Sequence, residues 1–168
     1  EELKQKERLL LSSKNSDKLK LLEKLQLDLQ LQELPLHIEC FDNSNFQGSY
    51  PVSAMVCFKN GEPSKKDYRH FNIKTVEGIN DFASMKEAVF RRYKRLKEEK
   101  QDFPQLIIID GGKGQLSSAM EALNELGVEG CSTVIGLAKN IEEIFFAGDS
   151  ASLKLAYNSN SLHFIRRI

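Results

Sequence analysis

Leu106–Gln115 reads LIIIDGGKGQ: four aliphatic residues run into one carboxylate and then into a glycine-rich turn that carries a lysine. The run is short, rich in β-branched side chains and bounded by Pro104 and Gly111, so it reads as a strand buried on both faces. Asp110 then stands at the strand's C-terminal end, where ligands bind in open α/β sheets. A carboxylate there needs a cation, a hydrogen-bond donor or water to stay ionised. A phosphate cradle, a metal site and a plain turn are the candidate explanations.

Working outward, GQLSSAMEALNELG reads as a helix stopped by Gly127, and STVIGLAK as the next strand. Upstream, a helix is predicted from about Asp81 to Lys100, with Phe82, Met85, Val89, Tyr93 and Leu96 along one apolar face and basic residues between them. LHIECFDNSNF and VSAMVCFKNGEPSKKDYRHFNI read as three strands in hairpin succession, with NGEP as a turn. Residues 1–34 are charged and leucine-rich and predict a packing or linker helix ended by Pro35. The tail EEIFFAGDSASLKLAYNSNSLHFIRRI predicts a short hairpin and the start of a last helix. The expected order is β-β-β-α-β-α-β, an α/β mixed sheet with helices on its faces, over 35–168, preceded by the helical segment 1–34.

At 168 residues the chain is ample for one domain with a real core. No apolar run approaches the length of a spanning helix, and EELKQKERLLL lacks the order of a signal peptide, so no membrane role is expected. Cys40, Cys57 and Cys131 are far apart without C-x-x-C spacing, and read as reduced core residues of a cytoplasmic protein. The 24 basic and 24 acidic residues balance, which counts against holding nucleic acid by bulk charge alone. Basic residues do cluster locally, in RRYKRLK (Arg91–Lys97) and SKKDYRH (Ser64–His70).

The phosphate cradle fails on its own terms. A P-loop needs G-x-x-x-x-G-K-[S/T], but Gly112-Lys113 is followed by Gly114, and Ile107 stands where the first glycine should be. The dinucleotide pattern fails as well, because Ser117 replaces its third glycine. The metal reading needs a second carboxylate, and Asp42 supplies one on the first strand, inside an otherwise apolar alternation. With that strand central and the LIIID strand parallel beside it, Asp42 and Asp110 would face one gap. Such hard oxygen donors suit magnesium or manganese.

IECFDNSNFQGSYPVSAMVCF, DYRHFNI, DFASM, RRYKR, LIIIDGGKGQL and VIGLAKNIEEIFF, in this order and spacing, resemble the C-terminal endonuclease half of UvrC, the nuclease subunit of bacterial nucleotide excision repair. The resemblance runs from about Glu33 to Ile168. It implies an RNase H-like fold and incision on the 5′ side of a DNA lesion by an Asp-Asp-His set with Mg2+ or Mn2+. Carried over by position, Asp42 and Asp110 would be metal ligands. Asp81 matches a further acid of the family's active region, although it could equally be the N-cap of the helix beginning there. Lys113 and Lys139 match basic positions that could contact phosphate, and Arg91, Arg92 and Arg95 could face a DNA backbone.

The family's catalytic histidine belongs just after the segment LHFIRRI, and the chain ends at Ile168. His163 is not its counterpart, and His37 and His70 read as structural. Weak or no cleavage by this chain alone is therefore expected. The resemblance also implies partners: damaged double-stranded DNA, a UvrB-type helicase subunit, and the remaining UvrC domains, a helix-hairpin-helix module and an N-terminal nuclease. Two rival readings remain, a catalytically silent RNase H-like module that docks DNA or protein, and a small-molecule phosphotransferase using GGKGQ.

Overall fold

The computed structural model describes residues 2–45, 51–76, 80–138, 143–148, 152–154, 161 and 164–165. Helix α1 (Glu2–Asp28) buries Leu22 and Leu25 at helical spacing and leaves Leu27 75% exposed, so its last turns pack on one side only. It ends earlier than the sequence suggests. Gln30 takes a left-handed φ of 55°, and the Leu31 N–H donates to the Gln26 carbonyl at 2.9 Å. That Schellman-type closure ends the helix before Pro35 can act. Leu25, Leu29 and Leu31 then share a buried cluster with Ile38, Cys40 and Leu106, so the end of the first segment is a layer of the same core.

Strand β1 (His37–Asn45) is central. Along one edge it pairs antiparallel with β2 (Pro51–Lys59) over its whole length, and along the other it runs parallel to β5 (Leu106–Asp110). The two-residue β3 (Glu62–Pro63) and β4 (Arg69–Asn72) share the outer edge of β2. On the far side β5 is parallel to β6 (Thr133–Leu137), which continues antiparallel through β7 (Glu143–Phe146) to β8 (Ser152–Lys154). The mixed sheet expected from the sequence is present. Among the described residues it gains β3, formed where Asn60 and Gly61 turn with φ of 55° and 80°.

Leu106 to Ile109 are fully buried, as a parallel strand covered on both faces requires. One face packs on α2 (Asp81–Glu98) and α3 (Gly112–Leu126), with Phe41, Ile107 and Ile109 against Met85, Tyr93 and Ala119. The other face carries Ile38, Cys40 and Ile108 and is covered by α1 and by the helical residues Phe164 and Ile165. Phe58 and Phe164 meet edge to face there, with ring centroids 5.6 Å apart. Among the described residues the cysteines are all unpaired. Cys40 and Cys57 are buried as expected, but Cys131 is exposed in the turn before β6 and is not a core residue. No described helix is long and apolar enough to cross a membrane.

Candidate active site

Asp42 and Asp110 are direct partners in the β1–β5 register. Side chains alternate along a strand, and neighbouring strands lie about 4.8 Å apart, so the two carboxylates project side by side from one face. Because Phe41 and Ile109 point toward α2 and α3, that face is the one carrying Cys40, Ile108 and Phe164. The charges are felt locally. Burial first, then the negative charges of Asp110 and Asp42, push the Cys40 thiol well above its ordinary range.

Beyond the strand tips α2 begins. Asn80 is its N-cap, accepting the Ala83 N–H at 3.1 Å, so capping does not account for Asp81, the first helical residue. Asn43, next to Asp42, ties the pieces together. Its amide donates to the Asp81 carbonyl at 2.8 Å and to Gln115 Oε1 at 3.4 Å, and its oxygen accepts the Ser53 hydroxyl. One side chain thus holds the starts of α2 and α3 against the tip of β1. Asp42, Asp81 and Asp110 all line a single cleft of about 510 Å3, together with Asn43, Asn80, Phe82, Gly111 and Gln115. Its donor set is hard oxygen on strand and helix ends, which fits a hard divalent cation better than a softer ion.

The glycine-rich loop is a strand-to-helix turn. Gly112 has φ of 81°, which a residue with a Cβ rarely adopts, and it opens α3 directly. Lys113 does not line the acid cleft. Its ammonium lies 5.2 Å from the Phe145 ring centroid, and the residue borders a neighbouring cleft of about 360 Å3 with Ser117 and Phe146. Lys139 and His163 lie outside the described residues.

The arginines of α2 are engaged within the fold. Arg92 Nε and Nη2 donate to the two oxygens of the fully buried Glu39 at 3.1 and 2.8 Å, and the Tyr93 hydroxyl and His37 Nε2 complete the set at 2.9 Å each. Burial alone would raise the Glu39 carboxyl, but hydrogen bonds from His37 and Arg92 and the Arg92 charge outweigh it and hold the group at about 2. Arg91 is likewise engaged, donating to the Asn72 carbonyl at 2.7 Å and to Glu87, with its guanidinium 5.5 Å from the Phe71 ring centroid. Arg95 pairs with Glu99 on the exposed side of α2, roughly 20 Å along the helix from Asp81. His37 is structural, as expected, while His70 is an exposed residue of β4.

His37, Glu39 and Cys57 also bring ligating atoms within 4.8 Å of one another. That group holds an ion pair rather than a metal. Arg92 already occupies both carboxylate oxygens, and burial, then the Glu39 charge, push the Cys57 thiol up to about 11. Reading the sequence missed Asn43, Gln115 and Phe82. The first two carried a faint signal, an amide beside a strand acid and the last residue of the glycine-rich stretch.

Residues 26–168 match the UvrC RNase H endonuclease domain family. The UvrABC system protein C of Cytophaga hutchinsonii is 62% identical over 155 residues, 92% of this chain and 26% of that protein. The Flavobacterium johnsoniae protein of the same name is 59% identical over 149 residues, 89% of this chain and 25% of that protein. The chain thus spans about a quarter of the length of the curated relatives it matches. Among solved structures, a DNA complex of Ciona intestinalis endonuclease V aligns with a TM-score of 0.46 and 17% identity over 71% of this chain and 55% of that chain. With a mixed sheet whose central strand is flanked by one antiparallel and one parallel neighbour, and with that match over most of its length, the chain belongs to the UvrC RNase H endonuclease domain family.

Proposed function

We propose that this chain forms the metal-dependent catalytic centre that cuts damaged double-stranded DNA on the 5′ side of a lesion. The observation that carries the reading is the register pairing of Asp42 with Asp110 at the tips of adjacent parallel strands, with Asp81 lining the same cleft. Asp42 and Asp110 act as metal ligands rather than proton-transfer groups. Asp81 adds negative charge from the α2 side, and Asn43 sets the distance between that helix and the two strand acids. A Mg2+ or Mn2+ ion held there supplies Lewis-acid activation of water and neutralises charge developing on the phosphodiester. A UvrB-type helicase subunit delivers the lesion, and the remaining UvrC domains hold the duplex and make the other cut, in the cytoplasm.

The test is Mn2+-dependent nicking of a damaged or bubble duplex by the chain extended past Ile168 with the following segment of a relative. Asp42→Asn and Asp110→Asn should each lower nicking on the order of a hundredfold or more, the scale of a misplaced reacting group. Undiminished nicking in either variant, or none in the parent, would favour the silent docking module instead.

A further inference from the structure

Phe82 belongs by spacing to the apolar stripe of α2, three residues before Met85 and seven before Val89. Those two are fully buried, yet Phe82 is 56% exposed. Its ring leaves the core and stands in the wall of the acid cleft, next to Asp81. The position is built from both sides. A Cβ placed on Gly114 would lie 2.5 Å from the Phe82 Cε1 atom, so the ring sits against α3 where that helix has no side chain. An aromatic surface held open to solvent beside three carboxylates is ill suited to a small, strongly hydrated substrate. It suits one with a flat apolar part close to a phosphate.

We infer that Phe82, seated on Gly114, is a stacking platform for a nucleobase of the DNA strand whose phosphate lies at the acid cleft. The inference rests on the proposed function and adds to it the group that registers the strand. Stacking tolerates any base, because every base offers a π face. The platform therefore fixes where along the strand the phosphate sits without selecting sequence, as damage processing requires.

The probe is a DNA oligonucleotide carrying 2-aminopurine, titrated with this chain in Mn2+, reading both fluorescence quenching and affinity. The parent should quench. Phe82→Ala should abolish quenching and weaken binding about tenfold, within the range of one base stacked on an aromatic ring, while Phe82→Trp should retain both. Gly114→Ala is the second arm. A methyl group at an α3 position improves helix propensity while displacing the ring, so this variant should melt no lower than the parent and still lose quenching. Equal quenching by the parent, Phe82→Ala and Gly114→Ala, or no quenching by the parent, overturns the platform. Asp42→Asn reports on the underlying reading separately: if binding keeps its full Mn2+ dependence in that variant, the metal site itself is wrong, whatever Phe82 does.

Discussion

Replacing Arg92 with methionine removes the cation from a carboxylate that has no water to turn to. Glu39 is fully buried, and the change deletes two charge-assisted hydrogen bonds, leaving the Tyr93 hydroxyl and His37 as its partners among the described residues. Removing one partner of such a buried pair costs about 3–5 kcal/mol, and the two surviving contacts place this case near the lower end. Linkage agrees in direction. Against burial, hydrogen bonds from His37 and Arg92 and the Arg92 charge hold the Glu39 carboxyl at about 2, below its ordinary 4.5, so its ionised form favours the fold at pH 7. At about 2–4 °C per kcal/mol for a chain of this size, Arg92→Met should melt roughly 6–12 °C below the parent.

The sign with pH follows. A depressed carboxylate stabilises the fold above its unfolded value, so the parent's increment is full above about pH 4.5 and is lost as the pH falls toward 2. The gap between parent and variant should therefore narrow in acid. Circular-dichroism melts and urea unfolding at pH 7 and pH 3 measure both effects. A variant within about 1 kcal/mol of the parent at pH 7, the scale of an exposed pair, would refute the reasoning and return Arg92 to the candidate DNA contacts.

Asp110→Asn removes one of two like charges held in register across β1 and β5. Without metal it should raise stability by roughly 0.5–1 kcal/mol, and it should abolish any Mn2+-induced rise in Tm; calorimetry with and without Mn2+ tests both. Arg95→Ala, which breaks only an exposed pair with Glu99, should shift stability by less than about 0.5 kcal/mol. If Arg95 contacts phosphate, the same change lowers the salt slope of DNA binding by about 1. Gln30→Gly relieves a left-handed φ of 55° and should stabilise the fold by roughly 0.5–1 kcal/mol in urea titration.

The acid pair was legible because each aspartate contradicts its surroundings. Asp42 interrupts an apolar alternation and Asp110 ends a fully buried run, and a charge in such a place demands a partner or a task. The elements carrying them were legible for a similar reason. LIIID could only be a strand with both faces covered, and Gly127, at φ 70°, does stop α3. The end of α1 was not legible, since its closure depends on a glutamine adopting a conformation that usually marks glycine.

Arg92 and Phe82 mark the limit. Both sit on one helix with an unambiguous period, and by that period Arg92 is a surface cation and Phe82 a core residue. The structure reverses both, because Glu39 approaches from β1 to claim the arginine and the start of α2 lies over a cleft rather than over the sheet. The sequence by itself determined the main strands and helices around the site, their order and the two acids, through hydrophobic periodicity and the energetic penalty of an unexplained charge. Only the tertiary structure decided which charges neutralise one another, that Asp81 joins the strand acids, and which apolar side chain stays in water. Those outcomes depend on which residues distant in sequence meet, and the period of a single helix or strand carries no record of its neighbours.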